Sequence, residues 1–141
     1  MTPFQVQFRD GASLFDEVVY AAKKAVVSGQ LRPGDRFPSV RALSKDLKIH
    51  PGTAQKIVAQ LASEGLVETR QGAGTVVGER PRPAREKRAR LLGRGIEELV
   101  VEAKWLGVGR AALLASVAAH WKDLGLDDEP EEGADGGGAG R

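Results

Sequence analysis

The chain has 141 residues, a net charge of +2 and no cysteine. This length suits one ordinary domain, or a small domain with an appendage. The lack of cysteine excludes a disulfide framework and a thiolate metal site. No run of about 18 apolar residues is present, so we expect no membrane span. The first ten residues contain no apolar signal segment, from which we expect a cytoplasmic protein.

The small net charge hides an uneven distribution. Residues 127–141 carry six acidic residues and one basic residue, whereas residues 1–126 carry 20 basic and 13 acidic residues, a net of +7. The excess of basic residues in 1–126 suits a polyanionic partner, although scattered surface charge would explain the composition equally well.

Residues 1–12 have little periodicity, and a helix is predicted to follow them. Ser13 and Asp16 resemble a capping box, and Gly29 suits the left-handed position that ends a helix. Between these signals, apolar residues recur at helical spacing: Leu14, Phe15, Val18, Ala22, Ala25 and Val26.

Two more helices are predicted after a Pro-Gly turn at residues 31–35. Ser39 is a good cap for a helix over 40–47, and a tight break follows at residues 48–50. Pro51 suits the first position of a third helix, which runs to about Glu64 and buries one apolar side. The predicted buried positions of that helix are Ala54, Ile57, Val58 and Leu61.

Two short strand-like runs come next, at 66–70 and 75–77, around the hairpin sequence Gln71-Gly72-Ala73-Gly74. Two helices joined by a tight turn and followed by a hairpin predict a winged helix-turn-helix. The fold class is therefore mainly α with a small β-hairpin, and a two-helix dimerisation region is predicted to follow.

The predicted organisation has four parts. Residues 1–78 form the winged domain, 79–90 a basic linker, 91–124 two helices and 125–141 a disordered acidic, glycine-rich tail. Basic residues at 80–94 are either a solvated linker or additional phosphate contacts. The tail is either a solubilising end or a competitor for the basic face.

The first C-terminal helix has apolar residues at steps of four and three, a narrow seam suited to pairing with another helix. Gly107 and Gly109 end it, and the second helix spans about 110–124. We predict that both helices contribute to a homodimer through Leu92, Ile96, Leu99, Ala103, Leu106, Leu113, Val117 and Trp121.

The third helix of the winged domain should present a polar face, since one helix fits the major groove of DNA. Its predicted outward residues are Gly52, Thr53, Gln55, Lys56, Ala59 and Gln60. Gln55 can pair with adenine, and Lys56 can meet guanine or phosphate. An ordinary solvated helix face would have the same pattern.

The sequence resembles the GntR family of transcription regulators over residues 13–78. The resemblance is carried by the run from Gly29 to Leu43, which includes Pro33-Gly34-Asp35 and Pro38-Ser39, and by Glu64-Gly65-Leu66-Val67 with later wing residues. The short region that follows, with a tryptophan near its end, is similar to the YtrA-type subfamily, whose C-terminal helices mediate dimerisation. Departures from the family pattern are Phe37, Gly52 and Ala54.

The resemblance implies a set of DNA-contacting positions. These are Arg41, Thr53, Gln55, Lys56 and Gly72, with Ser39 and Gln71 also plausible. For Arg41 the sequence itself supports this role, because the residue lies in the first turn of a predicted helix, where the start of the helix can face phosphate. For Gly72, turn geometry alone explains the residue equally well.

Other sequence motifs do not predict a further binding or catalytic site. Residues 107–112 spell GxGxxA, but this pattern follows a helix rather than a strand, so a dinucleotide site is not expected. His50 and His120 lack neighbouring metal ligands in the sequence. We predict no catalytic residues, no metal and no cofactor, and the residues identify no effector ligand.

The predicted function is sequence-specific binding of double-stranded operator DNA by a homodimer that regulates transcription, as a repressor by resemblance. The alternative is a winged-helix protein-interaction module without sequence-specific DNA binding. A scaffold of that kind would not need exposed Thr53, Gln55 and Lys56 beside Arg41.

Overall fold

A computed structural model describes residues 2–79 and 85–125. The predicted tail lies outside the described residues except for Gly125, and so do residues 80–84 of the predicted linker. The elements are α1 (Leu14–Val27), α2 (Val40–Leu47), α3 (Pro51–Ser63), β1 (Val67–Arg70), β2 (Gly74–Val77), α4 (Arg85–Arg90), a π-helical segment (Leu91–Gly95), α5 (Ile96–Trp105) and α6 (Arg110–Asp123).

The winged helix-turn-helix architecture predicted from the sequence is confirmed. The Ser13 hydroxyl accepts a hydrogen bond from the Asp16 amide at the start of α1. At the start of α2, the Ser39 hydroxyl accepts one from the Ala42 amide at 3.1 Å. These caps satisfy amide hydrogens that have no partner within the helix, which is why the sequence predicted both starts correctly.

The core of the winged domain lies between α1, α3 and the hairpin. Its fully buried side chains come from these elements and from α2: Val18, Ala22, Leu43, Ala54, Ile57, Leu61 and Val77. Ala54, Ile57 and Leu61 form the inward side of α3, and Val58 is partly buried against them. The predicted orientation of α3 is therefore correct.

The N-terminal segment belongs to this core, which the sequence did not predict. Phe4 is buried, and its ring stacks on Phe37 with ring centroids 5.7 Å apart. The Gln30 side-chain amide donates to the carbonyl oxygen of Pro3 at 2.8 Å. Phe37, one of the departures from the family pattern, thus has a partner that a smaller aliphatic residue would contact less extensively.

The hairpin is tied to the segment that precedes α2. β1 and β2 pair antiparallel, with Val67 opposite Val77 and Arg70 opposite Gly74. The Phe37 amide donates to the Thr75 carbonyl oxygen, and the Val77 amide donates to that of Asp35. The loop before α2 therefore lies along β2 almost as a third strand, and it fixes the wing on the helical part.

The linker region is more helical than predicted. α4 begins at Arg85, so the last six residues of the predicted linker are helical. Leu91–Gly95 then form a π-helical segment before α5. Because the hydrogen bonds of a π-helix span five residues, each turn is wider than in an α-helix. Leu92 therefore lies in a π-helical segment, whereas Ile96, Leu99 and Ala103 lie in the α-helix that follows it.

Candidate nucleic-acid interface

The start of α2 presents one basic side chain to solvent. Arg41 is the second residue of this helix and is exposed, and no ion pair among the described residues engages it. Ser39 is exposed as well, but its hydroxyl caps the helix. A cation at the positive end of a helix dipole remains available for an external anion such as phosphate.

The start of α3 is shaped by three consecutive residues. The Nδ1 atom of His50 accepts a hydrogen bond from the Gly52 amide at 3.0 Å and caps the helix. Pro51 occupies the first turn, where its missing amide hydrogen has no consequence. A Cβ atom at Gly52 would lie 3.1 Å from His50 Nδ1. Glycine at this position therefore suits a histidine cap, whereas a larger residue would require the imidazole to move.

The outward face of α3 carries the predicted base-reading residues. Gln55 and Lys56 are exposed, while Thr53 is half-buried. Gln55 and Lys56 point away from the buried side of the helix, as the 3.6-residue period requires, and Thr53 lies at the edge of that side. Within the part of the chain that the structure describes, no ion pair engages Lys56.

The tip of the wing is an exposed turn between β1 and β2. Gln71 and Gly72 are both exposed, and the Ala73 amide donates to the Arg70 carbonyl oxygen at 3.1 Å. Gly72 and Gly74 have φ values of +82° and +72°, which side chains other than glycine rarely adopt. The turn geometry thus requires these glycines whether or not the wing contacts a ligand.

The structure places all seven predicted DNA-contacting residues on the surface or half-buried, on three elements that pack together. α2 packs on α3, and α3 packs on β1. Two exposed basic residues next to these elements in the chain were not among the predicted positions. Lys48 is exposed in the turn between α2 and α3 with a left-handed backbone (φ +54°), and Arg70 is exposed at the end of β1 in an ion pair with Glu68. A basic residue in the tight turn was the available signal for Lys48.

The predicted dimerisation positions are mostly exposed in the single chain. Ala103 is buried and Leu113 half-buried, and the other six positions are exposed. Further large apolar side chains are also exposed in this region, among them Leu91, Val101, Trp105 and Leu114. The fraction exposed reaches 84% for Trp105. α6 therefore covers only a small part of the apolar surface of its own chain.

The described residues show neither a metal site nor a membrane-spanning helix. Within residues 2–79 and 85–125, no group of three or more His, Asp or Glu side chains is placed to hold a metal ion. No helix in these ranges is long and apolar enough to cross a membrane. His50 serves as the cap of α3.

Comparison with known proteins identifies the winged domain. Residues 14–77 match the family described as "Bacterial regulatory proteins, gntR family". This winged domain is a GntR-family domain. The resemblance to this family predicted from residues 13–78 is thereby confirmed for the winged domain.

Individual relatives extend the GntR match beyond the winged domain. The chain is 28% identical to the HTH-type transcriptional repressor YtrA of Bacillus subtilis (strain 168), over 74% of this chain and 81% of that protein. It is 29% identical to the uncharacterized HTH-type transcriptional regulator YhcF of the same organism, over 79% and 92%. The predicted similarity to YtrA-type regulators is thereby confirmed.

A solved structure shows the same fold over most of the chain. A transcriptional antiterminator from Listeria monocytogenes EGD-e aligns with a TM-score of 0.76 and 21% sequence identity, covering 88% of this chain and 94% of that one. Since the alignment includes the region after the wing, the C-terminal helices belong to the shared fold.

Proposed function

We propose that this GntR-family chain is a homodimeric repressor that binds a near-palindromic operator. The observation that carries the proposal is the outward face of α3, where Gln55 and Lys56 are exposed, together with the exposed Arg41 on α2, the helix that packs on α3. A helix with such a face fits the major groove, and a glutamine can form two hydrogen bonds with adenine. The repressor role is supported by the relative YtrA, which is named a transcriptional repressor.

The residues divide into two proposed roles. Gln55 reads a base edge, and Thr53 supports the approach of the helix start to the groove. Arg41, Lys56 and the wing tip at Gln71-Gly72 contact the phosphate backbone, with Ser39 positioned to do so from the cap of α2. Phosphate contacts supply affinity for any sequence, whereas base contacts supply the preference for one sequence. The mechanism requires no catalytic step, and we expect it to operate in the cytoplasm.

Dimer formation is the second part of the proposal. The apolar face of α5 and α6 is exposed in one chain, and a second copy related by twofold symmetry would bury both faces. Two linked winged domains convert the second binding event into an intramolecular one, which raises affinity by about 10²–10⁴-fold. The two half-sites are then expected about one helical turn apart.

Selection from a random duplex library, followed by binding measurements on the selected and a scrambled duplex, tests this function. Gln55→Ala should weaken binding to the selected duplex by about 1–3 kcal/mol and relax preference at one position per half-site. Arg41→Ala should weaken both duplexes alike. Gln7→Ala, at an exposed glutamine on the N-terminal segment, is the matched control and should leave binding unchanged.

One result would contradict the proposed operator binding. If the library yields no preferred sequence and the wild-type chain binds no duplex, the interaction-module alternative replaces the operator function. A reporter gene placed behind the selected site then tests repression separately, because an activator would raise transcription where a repressor lowers it.

A further inference from the structure

One carboxylate joins three separate elements of the chain. Glu64 caps the C-terminal end of α3, and its Oε1 atom accepts hydrogen bonds from Lys23 Nζ of α1 at 2.9 Å and from Lys87 Nζ of α4 at 2.8 Å. Its Oε2 atom accepts one from the Gln60 side-chain amide at 3.3 Å. The end of α3 is thereby connected both to α1 and to α4, the helix that leads towards the C-terminal region.

The surroundings of this carboxylate favour its charged form. The Glu64 side chain is 14% exposed, whereas those of Lys23 and Lys87 are 45% and 52% exposed. Burial by itself raises the pKa of Glu64, but the hydrogen bonds from Lys23 and Lys87 outweigh it and lower the pKa to about 2. Glu64 is therefore ionised at neutral pH and holds both ammonium groups.

α4 has little else to fix its direction. It is six residues long, and none of its residues is buried. A helix that buries no apolar side chain against a domain is free to tilt unless a polar contact restrains it. Lys87 lies in the middle of α4 and supplies such a contact to the end of α3.

A small tilt at this point has a large effect further along. The helical stretch from Arg85 to Trp105 is about 30 Å long at ~1.5 Å per residue. A tilt of about 10° moves its far end by roughly 5 Å, which exceeds the ~3.4 Å rise of one base pair. The direction of α4 relative to α3 therefore decides how far apart the two α3 helices of a dimer lie once the C-terminal regions of the two chains are joined.

We propose that Lys87, through its ion pair with Glu64, is a positioning residue that sets the spacing of the half-sites this protein accepts. The inference rests on the proposed function, since it presumes a dimer that reads two half-sites. The ion pair of Lys23 with Glu64 lies within the winged domain, whereas the ion pair of Lys87 connects that domain to α4.

Spacing preference tests this directly. The full chain and its variants are titrated against duplexes that carry two copies of the selected half-site, with centre-to-centre distances from two base pairs below to two above one turn of ~10.5 bp. A duplex with a single half-site reports the affinity of one winged domain.

Three variants separate the effect of the ion pair from other effects. Lys87→Met removes the charge and keeps a long side chain, and Lys87→Arg keeps the charge. Arg94→Met breaks an ion pair with Glu98 inside the same continuous helix, which does not reach the winged domain. Wild type, Lys87→Arg and Arg94→Met should prefer one spacing by about tenfold or more. Lys87→Met should bind neighbouring spacings within about threefold of each other, with unchanged affinity for the single half-site.

A second measurement needs no DNA. The chain has no cysteine, so cysteines introduced at the exposed positions Ala62 and Glu97 can be spin-labelled alone, in a sample diluted with unlabelled protein. The distance distribution between the labels should be narrow in wild type and in Arg94→Met and clearly broader in Lys87→Met.

The outcomes are distinguishable. A Lys87→Met variant with the wild-type spacing profile overturns the inference, and so does an unchanged label distribution. If wild type binds DNA without any spacing preference, or does not bind it, the proposed operator function fails together with the role in spacing. The label distances then still decide whether Lys87 fixes the winged domain relative to α5.

Discussion

Glu64→Gln should remove a large part of the stability that this protein loses on acidification. The pKa of Glu64 is lowered from 4.5 to about 2, a shift of about 2.5 units, and each unit corresponds to about 1.36 kcal/mol. The full shift would give about 3.4 kcal/mol. Because the two lysines are about half exposed, solvent screening reduces this value, and we expect about 1–2 kcal/mol.

The sign follows from the direction of the shift. A carboxylate whose pKa is lower in the folded state stabilises the fold above its unfolded pKa of about 4.5, and this contribution is lost as the pH falls towards about 2. Wild type should therefore exceed Glu64→Gln in stability at pH 7. The difference should shrink by more than half at pH 3, where the unfolded state has already taken up the proton.

Urea unfolding at pH 7 and pH 3, at constant ionic strength and equal protein concentration, measures this difference. Carboxylates shared by the two proteins contribute equally and cancel. Glu68→Gln is the matched control, because Glu68 also pairs with a basic residue but is half-exposed on the hairpin. It should follow wild type at both pH values. An equal loss of stability in wild type and Glu64→Gln would refute the reasoning.

Three further outcomes are expected. Gly78→Ala should destabilise the wing by about 1–3 kcal/mol, since a Cβ there would lie 2.5 Å from a backbone carbonyl oxygen, while Gly109→Ala, with open space around it, should leave the melting temperature nearly unchanged. Leu99→Asp should yield monomers in sedimentation, and Leu14→Asp, at a similarly exposed leucine of the winged domain, should not; a dimeric Leu99→Asp variant would contradict the proposed interface. The logarithm of DNA affinity should fall linearly with that of salt by about 0.9 per phosphate contact, and Arg41→Ala should reduce the slope by about one unit per half-site; a flat response would exclude phosphate contacts.

The winged domain could be predicted closely because its signals are local. Ser13 and Ser39 each mark a helix start through a contact within three residues, Pro51 marks one through its missing amide hydrogen, and the hairpin follows from its glycine turn. The contacts that the sequence did not reveal connect distant positions. Phe4 meets Phe37 and Lys87 meets Glu64, and neither pair leaves a periodic pattern in the sequence.

In the candidate site, too, some features could be predicted from local patterns and others could not. The outward face of α3 followed from its 3.6-residue period, since three buried positions fix which side points away from the core. The sequence did not predict the pairing of residues 34–37 with β2, because a segment with a single bridged residue is too short to show the alternation of a strand. The sequence did not predict the π-helical segment Leu91–Gly95 either, which contains Leu92.

The two halves of the chain differ in what can stabilise them. The winged domain buries a contiguous core, whereas α5 has one buried residue and α6 has none among those described. A 14-residue helix such as α6 is marginal in water when it stands alone, and α5 lacks the apolar packing that supplies most helical stability in proteins. In the proposed dimer, burial of their exposed apolar side chains by a second copy supplies the missing stability. Folding of these helices and cooperative operator binding would then depend on the same association, so dilution should weaken both together.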